Sequence, residues 1–264
     1  MVVVDIGTTT TALAPVVGGR LGTPIRLPTA GARTAGEWAD LLEALRLASA
    51  SSVPVAAVGV ASVVPGAAAA LVAAGRRTGV APVELTGASW PLPVGYDDPG
   101  ELGADRVANA LGALDRYGAP VIVVDLGTAT TLEVVAADGT LAGGAIAPGI
   151  GVGLDALRLR APHLPAIPLT PPGPGDPAVA TTAAGALRSG VLWGAGALVD
   201  GLVRRARGLV GPCPVVATGA GAAVAAAAAA SVTAVDRDLT LWGVYRAVVA
   251  AGQCRPSSQA RIGS

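Results

Sequence analysis

Short uninterrupted apolar runs alternate along the chain with longer segments whose apolar positions recur at helical spacing. Val2-Val3-Val4, Val53 to Val64, Val83 to Leu85, Val121-Ile122-Val123-Val124 and Val215 to Thr218 are mostly apolar runs in which Glu84 is the single charged residue. Such runs, bounded by Gly or Pro, predict buried strands. Glu37 to Ser49, Ala67 to Arg77, Ala104 to Tyr117, Thr182 to Val210 and Leu239 to Ala251 predict helices. Strands alternating with helices predict an α/β protein. The Pro- and Gly-rich segment Pro162 to Pro177 reads as a loop or flap, and the polar end from Gln253 to Ser264 as a frayed tail.

One pattern occurs twice. Val2-Val3-Val4 leads into Asp5-Ile6-Gly7-Thr8-Thr9-Thr10-Thr11, and Val121 to Val124 leads into Asp125-Leu126-Gly127-Thr128-Ala129-Thr130-Thr131. Both fit an apolar strand followed by Asp-x-Gly-Thr-x-Thr-Thr, at an offset of 125 − 5 = 120 residues. Each copy continues into a hairpin, with Gly18-Gly19 as the first turn and Asp138-Gly139 as the second. The duplication predicts two similar α/β lobes with a cleft between them, 1–118 and 119–252, and a tail over 253–264. An Asp at a strand end can hold Mg²⁺ directly or through water. The Gly lets backbone approach a ligand closely. The amides and Thr hydroxyls of such a turn can point at phosphate oxygens. A single turn of this kind also serves as an ordinary strand-to-hairpin connection; its repetition favours the phosphate reading.

Composition narrows the chemistry. The 264 residues hold 18 acidic and 18 basic residues, and all the basic ones are arginine. Without lysine there is no P-loop, no protein-kinase strand lysine and no Schiff base. Net charge is zero and aromatics are 3% of the chain, so the basic stripe and stacking platform of a nucleic-acid binder are absent. The lone histidine, His163, lies among prolines and reads as loop punctuation. Cys213 and Cys254 are few and far apart, which suits reduced thiols in a cytoplasm. The chain is half apolar, but its uncharged stretches, Leu47 to Gly75 and Leu209 to Val235, are alanine-rich and broken by Pro and Gly. They predict core, with no membrane span.

Three further constellations stand out. Tyr96-Asp97-Asp98-Pro99-Gly100-Glu101-Leu102-Gly103-Ala104-Asp105-Arg106 places Asp105 at the start of a helix. There it either balances the helix dipole or accepts a hydroxyl proton. Gly143-Gly144-Ala145-Ile146-Ala147-Pro148-Gly149-Ile150-Gly151 suits a tight corner or backbone approach to a ligand. Ala217-Thr218-Gly219-Ala220-Gly221-Ala222 reads as a small-residue turn between a strand and a helix, able to receive a base or phosphate.

Together these residues resemble the type III pantothenate kinases, also called Bvg accessory factor-like proteins. The match runs through Asp5-Ile6-Gly7, Ala61-Ser62-Val63-Val64-Pro65, Tyr96 and Leu102 to Arg106, then Asp125 to Thr131, Gly143-Gly144 and Ile146 to Ile150, and ends at Ser189-Gly190 and Asp238 to Leu241 with Gly243. The resemblance implies a duplicated fold of the acetate and sugar kinase, Hsp70 and actin (ribonuclease H-like) group. It implies ATP-dependent phosphorylation of pantothenate to 4'-phosphopantothenate, the first step towards coenzyme A. In relatives the residue matching Asp105 is the base, Asp5 assists Mg²⁺-bound phosphates, and Asp125 is tied to a monovalent cation, K⁺ or NH₄⁺. ATP contacts are expected from Asp5, Gly7, Thr8, Thr9, Thr10, Gly127, Thr128, Thr130 and Gly219. Pantothenate contacts are expected from Tyr96, Gly103, Arg106 and Thr182. The resemblance also implies a homodimer whose partner chain completes the substrate pocket.

The sequence departs from the family pattern at four places. Thr8 and Asp98 stand where relatives have asparagine, Ala183 where they have threonine, with Thr182 one place earlier, and Ala220 where they have glycine. Asp98 and Ala183 lie on the acceptor side and leave open a kinase for a related hydroxyl compound. Thr8 leaves open a non-catalytic regulatory or nucleotide-binding paralogue.

Overall fold

A computed structural model describes residues 1–29, 33–48, 57–64, 66–85, 90–173 and 175–252. The expected tail 253–264 and Pro65 lie outside them. The chain divides into two compact units. One comprises Met1–Pro91, Asp98–Gly112 and Thr240–Ser264, the other Leu92–Asp97 and Ala113–Leu239.

The first unit is built on β1 (Val2–Ile6), β2 (Thr10–Val17), β3 (Arg20–Leu21), β4 (Ile25–Pro28), β5 (Ala57–Ser62) and β6 (Ala81–Glu84). Among the described residues the sheet order is β3-β2-β1-β5-β6, with β4 also pairing β2. β1 is central: antiparallel to β2, with Asp5 opposite Ala12, and parallel to β5, with Asp5 opposite Ala61. Helices α1 (Ala35–Ala48) and α2 (Ala67–Arg77) cover one face. Val2, Val4 and Ile6 of β1 pack there with Trp38, Leu42 and Leu71. A capping box starts α1, with Thr34 N donating to Glu37 Oε2 (2.7 Å) and Glu37 N to Thr34 Oγ1 (3.3 Å).

The second unit repeats the plan with β7 (Val121–Leu126), β8 (Ala129–Val135), β9 (Leu141–Pro148), β10 (Val215–Thr218) and β11 (Ala234–Val235), in the order β11-β10-β7-β8-β9. β7 is antiparallel to β8, with Asp125 opposite Thr131, and parallel to β10, with Asp125 opposite Thr218. Ile122, Val124, Leu132, Val134 and Ala217 face a core closed by α5 (Ala183–Val210) and α6 (Ala222–Ala228).

α3 (Ala104–Tyr117), α4 (Ile150–Arg160) and α7 (Leu239–Ala250) complete the helices. α7 explains why the first unit is not one continuous stretch. Its Val244 and Val248 occupy the space that a side chain at Gly59 of β5 would fill. Gly243 lies directly on the Ala108 backbone of α3, and Thr240 Oγ1 donates to Asn109 Oδ1 at 2.7 Å. Two elements differ from the sequence reading: Ile150–Arg160 is helical despite Gly151 and Gly153, and Ile25–Pro28 is an edge strand.

Among the described residues, α5 is long and apolar enough to cross a membrane by length and composition. It is nevertheless tied into the second unit. Val199 and Val203 are fully buried, Gly196 sits against the Ala228 carbonyl, and Asp200 accepts the N–H groups of Ala230 and Ser231.

Candidate active site

The first phosphate-type turn follows β1. Asp5 is half-buried at the strand end, and Thr8, Thr9 and Thr10 are exposed. The turn closes by Gly7 N donating to Thr10 O (3.1 Å). A residue the sequence reading passed over holds it: Thr29, just after β4. Its N–H donates to Thr9 O and its Oγ1 to Gly7 O, each at 2.8 Å, while Oγ1 also lies 2.9 Å from Thr11 Oγ1. These bonds occupy the carbonyls of Gly7, Thr9 and Thr10, and Thr8, Thr9 and Thr10 stay exposed. A Thr more than 20 residues from the Gly carries no local signal of this role.

Asp105 belongs to the same unit. Gly103 O receives Arg106 N and Val107 N, which opens α3, and Asp105 Oδ1 accepts Arg106 N at 2.8 Å. The carboxylate lies so close over Gly103 that a Cβ there would fall 2.6 Å from Oδ1. Burial pushes the Asp105 carboxyl above its usual range, against the opposing pull of the Arg106 amide and charge. A carboxylate raised this way is a better proton acceptor. Gly103 lies near the first turn's strand: Val63 N donates to Ile6 O (3.1 Å), and Val63 Cγ1 lies 3.4 Å from the Cβ position of Gly103. Arg106 is buried beside Asp105 on α3. Asp98, the departure from asparagine, uses Oδ1 to accept Gly100 N (2.8 Å) and so starts the short 3-10 turn Pro99–Glu101. An asparagine oxygen would make the same bond.

The second turn lies in the other unit and differs in register. Gly127 N donates to Ala129 O (2.9 Å), so the loop is one residue shorter than the first. Ile6 pairs with Thr11, but Leu126 pairs with Thr130. A one-residue change moves every following side chain to the other face. Thr130 is therefore the counterpart of buried Thr11, not of exposed Thr10. Its side chain is turned from the Asp125 face towards a cavity of about 200 Å³ that it lines with Gly149, Ile150, Gly153 and Ala195. Thr128 and Gly127 remain exposed at the tip.

Two glycine segments brace this turn. Gly149 N donates to Thr128 O (3.1 Å), and a Cβ at Gly149 would lie 2.3 Å from Gly127 O. Gly219 has φ of 82°, and a Cβ there would lie 2.3 Å from Asp125 Oδ1. The turn after β10 is thus a bed for the Asp125 carboxylate. Tyr96 also belongs to this unit, half-buried beside a short bridge of Val94 to Leu141. Thr182 is the N-cap of α5, its Oγ1 accepting Gly185 N at 3.1 Å. Of the expected site residues, Asp5, Gly7 to Thr10, Gly103, Asp105 and Arg106 share the first unit. Tyr96, Asp125, Gly127, Thr128, Thr130, Thr182 and Gly219 share the second.

Among the described residues no group of three or more His, Cys, Asp or Glu could hold a metal by itself. Mg²⁺ in nucleotide sites needs only one or two carboxylates besides phosphate and water, and Asp5 beside the open Thr turn fits that requirement.

Comparison with known proteins identifies the family. The family model for type III pantothenate kinase matches residues 1–205. A type III pantothenate kinase from Thermomicrobium roseum is 40% identical over 251 residues, covering 94% of this chain and 96% of the relative. One from Anaeromyxobacter sp. (strain K) is 38% identical over 261 residues, covering 92% and 96%. Among solved structures, a Baf family transcriptional activator from Campylobacter jejuni superposes with a TM-score of 0.54 at 16% identity, covering 96% of this chain and 98% of that one. Component A of the (R)-2-hydroxyglutaryl-CoA dehydratase of Acidaminococcus fermentans gives 0.55 at 15% identity, covering 95% and 98%. These two likenesses concern the fold alone, two α/β units each built on a mixed sheet. The chain belongs to the type III pantothenate kinase family.

Proposed function

We infer that the protein transfers the γ-phosphoryl group of ATP to the hydroxyl of pantothenate, giving 4'-phosphopantothenate and ADP, the step that opens coenzyme A biosynthesis. Family membership supplies the substrate class, and Asp105 is the observation that carries the chemistry. It is a carboxylate whose proton affinity is raised by burial, held at a helix start by the Arg106 amide in the same unit as an Asp-Gly-Thr turn. As the pantothenate oxygen forms its bond to the γ-phosphorus, the bond to the β,γ-bridging oxygen breaks. Asp105 takes the hydroxyl proton and ADP leaves. A positioned base of this kind contributes roughly 10²–10⁴-fold. Most of the remaining rate comes from alignment and charge neutralisation.

In this reading the exposed hydroxyls of Thr8, Thr9, Thr10 and Thr128 grip the phosphates in place of a P-loop lysine, and Gly7 and Gly127 let the backbone come close. Asp5 would hold Mg²⁺, which when bound neutralises phosphate charge. Asp125 would hold a monovalent cation, and Gly219 keeps its carboxylate in place. Arg106 would meet the pantothenate carboxylate, with Tyr96, Gly103 and Thr182 completing the pocket. The exposed apolar side chains Ile146, Val152, Leu157 and Leu159 suit the homodimer expected of the family. The reading places the enzyme in the cytoplasm. A coupled ADP-release assay with pantothenate, ATP, Mg²⁺ and K⁺ tests it. Pantothenate-dependent ADP release is expected, and its absence, with turnover of another alcohol, would overturn the acceptor.

A further inference from the structure

Half of the residues from Pro168 to Pro177 are proline. Proline has no N–H and a fixed φ, so the segment is stiff and poorly able to pair as a strand. Its carbonyls must find donors elsewhere, and one side chain supplies them. Arg188, in the second turn of α5, donates Nη1 to Pro168 O (2.7 Å) and Nη2 to Thr170 O (3.2 Å). The same guanidinium grips both oxygens of Asp176, Nε to Oδ1 at 3.2 Å and Nη2 to Oδ2 at 3.0 Å. Asp176 Oδ2 also accepts Gly173 N at 2.8 Å. The bond from Arg188 holds the Asp176 carboxyl below its usual range, so the pair stays ionised at neutral pH.

The chain beyond Asp176 is fastened to the same two turns of α5. Ser189 Oγ donates to Ala178 O. A Cβ at Gly185 would lie 2.8 Å from Ala180 Cβ and 3.0 Å from Thr182 Oγ1, so the missing side chain lets the segment lie against the helix. Thr182, six positions beyond Asp176, ends it as the cap of α5, with Oγ1 accepting Gly185 N at 3.1 Å. A hydroxyl that accepts one N–H still has its own proton to donate, and this side chain is exposed. Where that proton points depends on how the stiff segment delivers Thr182 to the helix.

We propose that Arg188 is a positioning residue for acceptor binding. By clasping the proline-rich segment at Asp176 it fixes the Thr182 hydroxyl, which donates to a carboxylate or amide oxygen of the acceptor. The clasp thus sets acceptor affinity and leaves phosphoryl transfer alone. This deepens the kinase reading and rests on it for the acceptor's place beside Thr182. A planar fork suits the task, because backbone carbonyls and a carboxylate are held at once; a lysine ammonium cannot match that geometry.

Initial rates of the full chain with ATP, Mg²⁺, K⁺ and varied pantothenate test it. Arg188→Lys and Asp176→Asn should each raise the KM for pantothenate by roughly tenfold, the effect of losing one hydrogen bond to a charged group. The kcat and the KM for ATP should stay at parental values, the signature of lost binding with intact chemistry. Thr182→Ser should keep the parental KM and Thr182→Val should raise it. Adding Arg188→Lys to Thr182→Val should raise it no further, since both act through one hydroxyl. A brace that serves stability alone would lower the melting midpoint and spare the KM. An unmoved pantothenate KM in folded Asp176→Asn or Arg188→Lys would overturn the clasp. So would a parallel loss of kcat, or full additivity with Thr182→Val. Should Arg188→Lys fail to fold, Asp176→Asn and its double variant with Thr182→Val decide. Parental turnover of pantothenate with variant KM values unmoved removes the clasp alone. A parent that turns over another alcohol removes pantothenate as the acceptor, and the same ratios taken with that alcohol decide the clasp. A parent that phosphorylates no alcohol removes both.

Discussion

Replacing Gly219 by alanine puts two separable penalties on one residue. The backbone there has φ of 82°, and a left-handed conformation costs an L-residue roughly 1–2 kcal/mol. The new methyl would also lie 2.3 Å from Asp125 Oδ1 and 2.9 Å from the Leu126 carbonyl. The side chain can rotate away but the Leu126 backbone cannot, and relieving such an overlap typically costs about 1–3 kcal/mol. The sum is about 2–5 kcal/mol. At roughly 2–4 °C per kcal/mol for a chain of this size, the melting midpoint falls by about 4–20 °C. Gly118 isolates the first penalty: its φ is 76° and no atom lies within 4 Å of its Cβ position. Thermal unfolding of Gly219→Ala and Gly118→Ala in parallel therefore reads the overlap as a difference. Because the carboxylate yields first, the cation role proposed for Asp125 predicts that Gly219→Ala also loses the K⁺ dependence of its midpoint. Equal midpoints for the two variants, with K⁺ dependence intact in Gly219→Ala, would refute the packing argument.

Thr29→Val removes the hydroxyl bond to Gly7 O and the contact with Thr11, worth about 1–3 kcal/mol in a part-buried site. Initial rates should show a raised KM for ATP with the KM for pantothenate unchanged. Arg188 donates to the carbonyls of Pro168 and Thr170 and pairs with Asp176, clasping the 168–176 segment to α5. Arg188→Ala should open that segment to limited proteolysis, with cleavage between Pro168 and Asp176 appearing before any elsewhere. For Asp105 the sign follows from burial. With its folded proton affinity raised, the group favours the folded state at low pH, and this contribution is lost as pH rises through the raised value. Turnover should fall on acidification through that same value, because the base must be ionised. The Asp105→Asn variant should gain midpoint over the parent above it and lose that advantage below it, as thermal scans across pH would show.

Strand and helix positions were largely legible because periodicity and capping are local. Ala67–Arg77 and Ala104–Tyr117 lie where apolar spacing predicts them, and Val215–Thr218 likewise. The glycines of Ile150-Gly151-Val152-Gly153 disguised α4, since helix propensity there yields to packing on the second turn. The repeated Asp-x-Gly-Thr turn was visible as letters at an offset of 120, but its register was not. Whether the Gly N–H closes on the second or third following carbonyl depends on what braces the loop: Thr29 in one copy, and Gly149 with Gly219 in the other. That single bond decides that Thr130 faces inward while Thr10 faces out. The assignment of the C-terminal helix to the first unit was likewise invisible, because it rests on Gly59 and Gly243 accepting partners far away in the chain.

The central claim is that Asp105 is the base of a pantothenate kinase. Turnover of Asp105→Asn with saturating ATP, Mg²⁺, K⁺ and pantothenate tests it most directly, alongside a melting curve confirming the fold. A folded variant whose kcat falls by roughly 10²–10⁴-fold is expected. A folded variant with near-parental kcat would contradict it.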